Sequence, residues 1–116
     1  MSEYSFKRVN DRIKLNKYMK ENIKTYSKLL ELEEKAFSEG ALDRKTKELM
    51  ALSISIVTKC EPCIQWHLKK CLELGAEDNE IFETIDISIE MGGGQAGGYA
   101  RFVVNALLYH RTKKIL

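Results

Sequence analysis

Residues 80–94 read EIFETIDISIEMGGG, and the fold turns on whether this stretch is a strand or a helix. Ile85, Ile87 and Ile89 alternate with polar residues, the two-residue period of a strand. Ile81, Phe82 and Ile85 instead recur at the spacing of an amphipathic helix. A strand here, followed by Gly92, Gly94 and Gly97, would complete a GxGxxG, the phosphate-cradling turn of a dinucleotide-binding unit. That unit also needs an acidic residue about 20 positions further on, and none follows Glu90. No other segment offers this one a strand partner. The stretch is therefore read as a helix, and the glycines as a break where two helices or two subunits approach closely.

The rest of the chain agrees. Its 116 residues suit one domain, 1–116. Pro62 is the sole proline, no glycine precedes Gly40, and Leu, Glu, Lys and Ala abound, which predicts an all-α fold. Residues from about 8 to 38 form one long or two shorter helices, with Tyr18, Ile23, Tyr26, Leu29, Leu30 and Phe37 near helical spacing and Gly40 as the C-cap. Asp43 caps a helix over about 44–58, in which Leu49, Leu52 and Ile56 share a face that Met50 and Val57 widen. The next helix runs from about Cys60 to Gly75, with Pro62 in its first turn. Asp78 or Asn79 caps a helix to about Met91, and a last helix over about 95–113 carries Phe102, Val103, Ala106, Leu107 and Tyr109.

Composition narrows the function. The 19 basic and 17 acidic residues, net +2, are interleaved rather than gathered into a stripe, which argues against nucleic acid. No apolar run approaches the roughly 18 residues of a membrane span. The start MSEYSFKRVNDR lacks the apolar core of a secretory signal. The expected compartment is the cytoplasm, where a CxxC more often cycles or binds metal than staples a fold.

The chemistry gathers in KCEPCIQWH, residues 59–67. On a helix, Cys60, Cys63 and His67 fall within about 60° of one another, with Cys71 and Leu74 continuing the stripe. A helix N-terminus favours an anion, so a cysteine in the first turn gains thiolate character. A second cysteine one turn away can close a disulfide on the sulfenic acid, and His67 can relay a proton. Zinc is a rival, but Cys60, Cys63, His67 and Cys71 span about 16 Å of helix, too far for one tetrahedral site with bonds near 2.3 Å. A purely structural disulfide is another, although so short a loop constrains the unfolded chain little. Cys71 reads as a small core residue. Glu48, at the edge of the apolar stripe beside Lys45 and Lys47, reads either as a solvated glutamate or as a partly buried carboxylate in a proton relay.

Glu48, Cys60, Cys63 and His67 together form the pattern E-x11-C-x2-C-x3-H. With the flanking GALDRKTKELMALSISIVTKCEPCIQWHLKKCLELGA and EIFETIDISIEMGGG, this resembles the AhpD-like branch of the carboxymuconolactone decarboxylase family over about residues 35–95. The resemblance implies an all-α, AhpD-like domain that assembles as a homo-oligomer, commonly a trimer or hexamer. It implies a thiol-dependent peroxidase of peroxiredoxin-type activity, without metal or other cofactor, that takes a hydroperoxide and is re-reduced by a thiol or dithiol protein. It implies Cys63 as the peroxidatic and Cys60 as the resolving cysteine, with Glu48 and His67 as the proton relay. The helix-end argument alone would instead favour Cys60 as nucleophile. One departure stands out: the best-studied motif has a histidine where this chain has Pro62. The family's lyase chemistry, decarboxylation of a carboxylated lactone, needs no dithiol. A non-enzymatic oligomeric redox sensor is the third reading.

Overall fold

A computed structural model describes residues 3–115, with side chains from Lys7 to Thr112. Five helices follow in order: α1 (Glu3–Asn22), α2 (Lys24–Ala36), α3 (Arg44–Val57), α4 (Glu61–Glu73) and α5 (Asp78–Ile115). The described residues contain no strand, and no described helix is long and apolar enough to cross a membrane.

The stretch that opened the question is helical. Ile81 and Ser88 point fully inward with Ile85 between them, one face at spacings of four and three. Ile87 and Ile89 face out, so the strand-like alternation marks two faces of a helix. The helix breaks at Gly93, whose φ of 69° and ψ of −154° lie outside helical space. Past the break, α5 folds back. Arg111 Nε donates to Asp78 Oδ1 at 3.2 Å, whereas a straight helix would separate two residues 33 apart by about 50 Å. Only a residue without Cβ takes this backbone cheaply. At Gly92 the need is space: an added Cβ would lie 2.7 Å from the Ala96 Cβ and 3.5 Å from the Val57 side chain.

The core lies where α3, α4 and the two arms of α5 meet. Leu52, Ile56, Ile64, Leu68, Ile81 and Val103 are fully buried there, each worth about 1.5–3 kcal/mol of apolar transfer. Met50 and Val57, expected to widen the α3 stripe, lie on the outer side and are exposed. Several apolar residues of α1 and α2 behave likewise, although Val9 is buried. Tyr18, Leu29 and Leu32 are more than half exposed, and α2 buries no residue. The period showed an amphipathic helix, but not which of its apolar residues meet another helix.

Caps differ from expectation in two places. The α1–α2 segment ends at Ala36 with Phe37 as C-cap, not at Gly40, which has no positive φ. The reason is a distant lysine. Lys47 Nζ donates to the carbonyls of Ala36 at 3.1 Å and Ser38 at 2.7 Å, satisfying helix-end acceptors without a glycine. At α5, Asp78 is the first helical residue and Glu77 holds the cap position, its N–H donating to Glu80 Oε1 at 2.9 Å. Asp43 caps α3 as expected, accepting from Thr46 N at 2.7 Å.

Candidate active site

α3 ends in a turn that aims the next helix. Thr58 caps α3, Lys59 takes a left-handed φ of 59°, and the Cys60 N–H donates back to Ser55 O at 3.0 Å. This tight reversal sets Cys60 as the N-cap of α4, with extended φ and ψ of −110° and 95°. Cys60 thus stands just before the helix rather than on its face, one residue off the expected start. Pro62 occupies the second helical position, where no N–H is needed, and Cys63 follows it in the first turn.

Cys60 and Cys63 form a disulfide with Cα atoms 5.3 Å apart, and both residues are half-buried. One turn beyond Cys63, His67 Nδ1 lies 2.8 Å from Glu48 Oε1. A carboxylate only accepts, so Nδ1 carries the hydrogen that Glu48 receives and Nε2 is left to exchange a proton. Glu48 is 3% exposed, which excludes the solvated reading. A carboxylate so buried is costly unless paired, and across the helix interface it pairs with His67. Phe37 stacks on the imidazole with centroids 5.4 Å apart and rings 24° from parallel. The sequence flagged Phe37 only as an apolar helical residue.

Two clefts flank α4. One, of about 500 Å³, is bordered by Glu48, Phe37, Trp66 and Arg44, and so reaches the Glu48 member of the pair. Trp66 Nε1 donates to Glu33 Oε1 at 2.6 Å across its wall. The other, of about 470 Å³, lies between α1 and the Glu61–Pro62 pair that the disulfide encloses. Trp66 and the arginines of α1 were not singled out by sequence, since nothing in spacing ties α1 to α4.

Cys71, two turns past Cys63, is fully buried. Burial, and then the charge of Glu48, pushes its thiol up to about 12. It is a core residue without thiolate character. Among the described residues, no three His, Cys, Asp or Glu side chains form a group arranged to hold a metal ion.

Similarity to known proteins follows the same segment. The model of the carboxymuconolactone decarboxylase family matches residues 24–106. Protein 4 of the cox locus of Paracoccus denitrificans, itself uncharacterised, is 39% identical over 71 residues, 61% of this chain and 64% of that one. An uncharacterised protein of Cupriavidus necator is 34% identical over 65 residues, 56% and 58% of the two chains. Both matches span less than two thirds of those relatives' lengths. A crystal structure of a carboxymuconolactone decarboxylase family protein of Thermotoga maritima, for which a role in the antioxidative response has been suggested, superposes with a TM-score of 0.81 at 36% identity, covering 93% of this chain and 92% of that one. A Legionella pneumophila protein of the family gives 0.79 at 31% identity, covering 91% and 95%.

Proposed function

The chain belongs to the carboxymuconolactone decarboxylase family, and from that premise we propose that it is a thiol-dependent peroxidase resembling the family's AhpD-like branch. The observation that carries the reading is the Cys60–Cys63 disulfide beside a buried Glu48–His67 pair. In the reduced protein, His67 accepts the Cys63 proton as Glu48 holds the ring. The Cys63 thiolate attacks the outer oxygen of a hydroperoxide. An S–O bond forms, the O–O bond breaks, and the alcohol leaves with a proton returned through His67. Cys60 then attacks the Cys63 sulfenic sulfur, water departs, and the disulfide forms. Two equivalents of external thiol restore the dithiol. The cleft of about 500 Å³ beside Glu48, lined by Leu30, Phe37 and Trp66 together with charged side chains, gives the hydroperoxide an approach to that carboxylate.

Cys63 is favoured over Cys60 as nucleophile because it sits in the first turn, one turn before His67. Cys60, on the extended backbone before the helix, has the freedom to close the bond. The similarity to the Thermotoga maritima protein supports the same reading. The self-association that the resemblance implies would cover large apolar side chains left exposed here, among them Tyr18, Leu32, Met50, Ile54 and Met91. Light scattering in solution would return a monomer mass if that part were wrong.

The test of the activity is peroxide consumption with a dithiol reductant. Wild type is expected to turn over and Cys63→Ser to stop. Equal turnover by both proteins would reject the mechanism. Reversible oxidation without turnover would leave a redox sensor, and decarboxylation of a lactone by the Cys63→Ser protein would point to the lyase chemistry.

A further inference from the structure

We propose that the cleft between α1 and the disulfide loop binds a low-molecular-weight thiol bearing a carboxylate, held by Arg12, which re-reduces Cys60–Cys63. The proposal rests on the dithiol cycle above and names the class of its electron donor.

The cleft is built from unusual parts. Glu61 and Pro62, the two residues inside the disulfide loop, form one wall, so the cleft borders the loop that the S–S bond closes. Arg8 and Arg12 reach in from α1, and Leu15 and Met19 supply an apolar flank facing Pro62. The two arginines differ. Arg8 forms an ion pair with Glu61, which neutralises both and pins α1 to the first turn of α4. Arg12 has no such counter-ion among the described residues. Its Nε donates to Gln65 Oε1 at 3.2 Å, a neutral acceptor, and its guanidinium lies 5.8 Å from the centre of the Trp66 ring. Neither contact satisfies the charge. Burial lowers the Arg12 pKa, and the nearby Tyr26 and Tyr109 oppose that shift only in part. A guanidinium has five N–H donors in a planar fork, and Nε uses one. The remaining fork suits a carboxylate bound side-on.

Size and polarity fit a small aliphatic acid. The volume of about 470 Å³ holds a short chain rather than a protein loop. Asp11, exposed at the rim, is the one unpaired acid of the lining, and it disfavours a second carboxylate on the donor. Pro62 stands where the best-studied motif has a histidine, and here its ring is part of the wall. The chemistry is ordinary exchange. A donor thiolate attacks one sulfur of the protein disulfide, forming a mixed disulfide and releasing the other cysteine as thiolate. A second donor thiolate attacks the mixed disulfide at the donor sulfur. The products are the donor disulfide and the protein dithiol, with two electrons and two protons gained.

The test uses the oxidised full chain and no peroxide, so failure of the peroxidase reading would not disturb it. Reduction of Cys60–Cys63 is followed by the fluorescence of Trp66, the only tryptophan, with 3-mercaptopropionate and with 2-mercaptoethanol. In wild type the rate with 3-mercaptopropionate is expected to saturate and to be competed by propionate but not by propanol. Arg12→Gln is expected to slow 3-mercaptopropionate at least about tenfold more than 2-mercaptoethanol, a loss of the order of one charge-assisted hydrogen bond. Lys59→Gln, which removes an exposed charge next to Cys60, is the control for general attraction and is expected to treat the two thiols alike. An equal effect of Arg12→Gln on both thiols, or an equal selective loss in Lys59→Gln, overturns the proposal. If Arg12→Gln does not fold, the wild-type arm decides alone: a linear rate that propionate leaves unchanged also overturns it.

Discussion

At one end of α4, Cys60 and Cys63 are half-buried and joined; at the other, Cys71 is fully buried and its thiol is pushed up to about 12. The backbone entering and leaving the helix is nearly the same. Lys59 and Gly75 both take a left-handed φ, 59° and 86°. Each is followed by an N–H that reaches back five residues, Cys60 to Ser55 at 3.0 Å and Ala76 to Cys71 at 2.9 Å. At the exit a glycine takes the turn without strain. At the entrance a lysine takes it, at a cost of about 1–2 kcal/mol. Residue type alone makes neither cysteine reactive. Place along the helix does: the first turn offers free N–H groups and a route to solvent, while the last turn lies in the core.

The most direct way to break this contrast is to exchange the two ends' roles. Cys63→Ser is expected to lower peroxide turnover at least about a thousandfold, as loss of a covalent nucleophile does. Cys71→Ala should leave it within about twofold, measured as steady-state peroxide loss with a dithiol. Equal losses in both variants would show that place on α4 does not separate the thiols. Next in size, Glu48→Gln is expected to cost about a hundredfold in turnover, the scale of a positioned acid–base group. The variant keeps the shape of the buried side chain and can still accept from His67 Nδ1, but lacks the negative charge that stabilises the protonated imidazole. A variant as active as wild type would make the pair a packing feature.

The pattern linking Glu48 to Cys60, Cys63 and His67 was legible, because its spacings are local or repeat along one helix. That Glu48 is buried was not. Its neighbours Lys45 and Lys47 suggested solvent, but Lys47 turns to the end of α2 and Lys45 to Glu80 at 2.9 Å. Only packing of α2, α4 and α5 around α3 shows that both lysines leave Glu48 to the interior. The partners Phe37 and Arg12 were equally illegible, since each acts through a contact with α4 from a distant part of the chain.

The buried thiol gives a third, pH-dependent test. An unfolded chain releases the Cys71 proton near its ordinary 9.0, and the folded chain holds it until about 12. Unfolding therefore releases a proton in that window. The stability due to the neutral thiol is complete below pH 9.0 and is lost progressively as pH rises to about 12. Thermal melts of wild type over that range are expected to fall more steeply than those of Cys71→Ala. Parallel slopes would mean that Cys71 is not held in the core as described.

The smallest effects compare the two turns themselves. Lys59→Gly is expected to stabilise the fold by about 1 kcal/mol, and Gly75→Ala to destabilise it by a similar amount. Denaturant midpoints measure both. A destabilising Lys59→Gly would mean that the entrance turn is not strained, and the contrast between the ends would then rest on burial alone.

The sequence by itself determined the all-α class, most helix positions, the glycine break and the dithiol motif. These follow from period, proline and glycine placement, and short spacings, all of which act within a few turns of chain. The tertiary structure alone decided which apolar faces are buried, where α2 stops, that Glu48 pairs inside with His67, and that Arg12 faces the disulfide loop. Each depends on a side chain meeting another from a distant helix. No local preference encodes that meeting, because its energy exists only once the helices have packed.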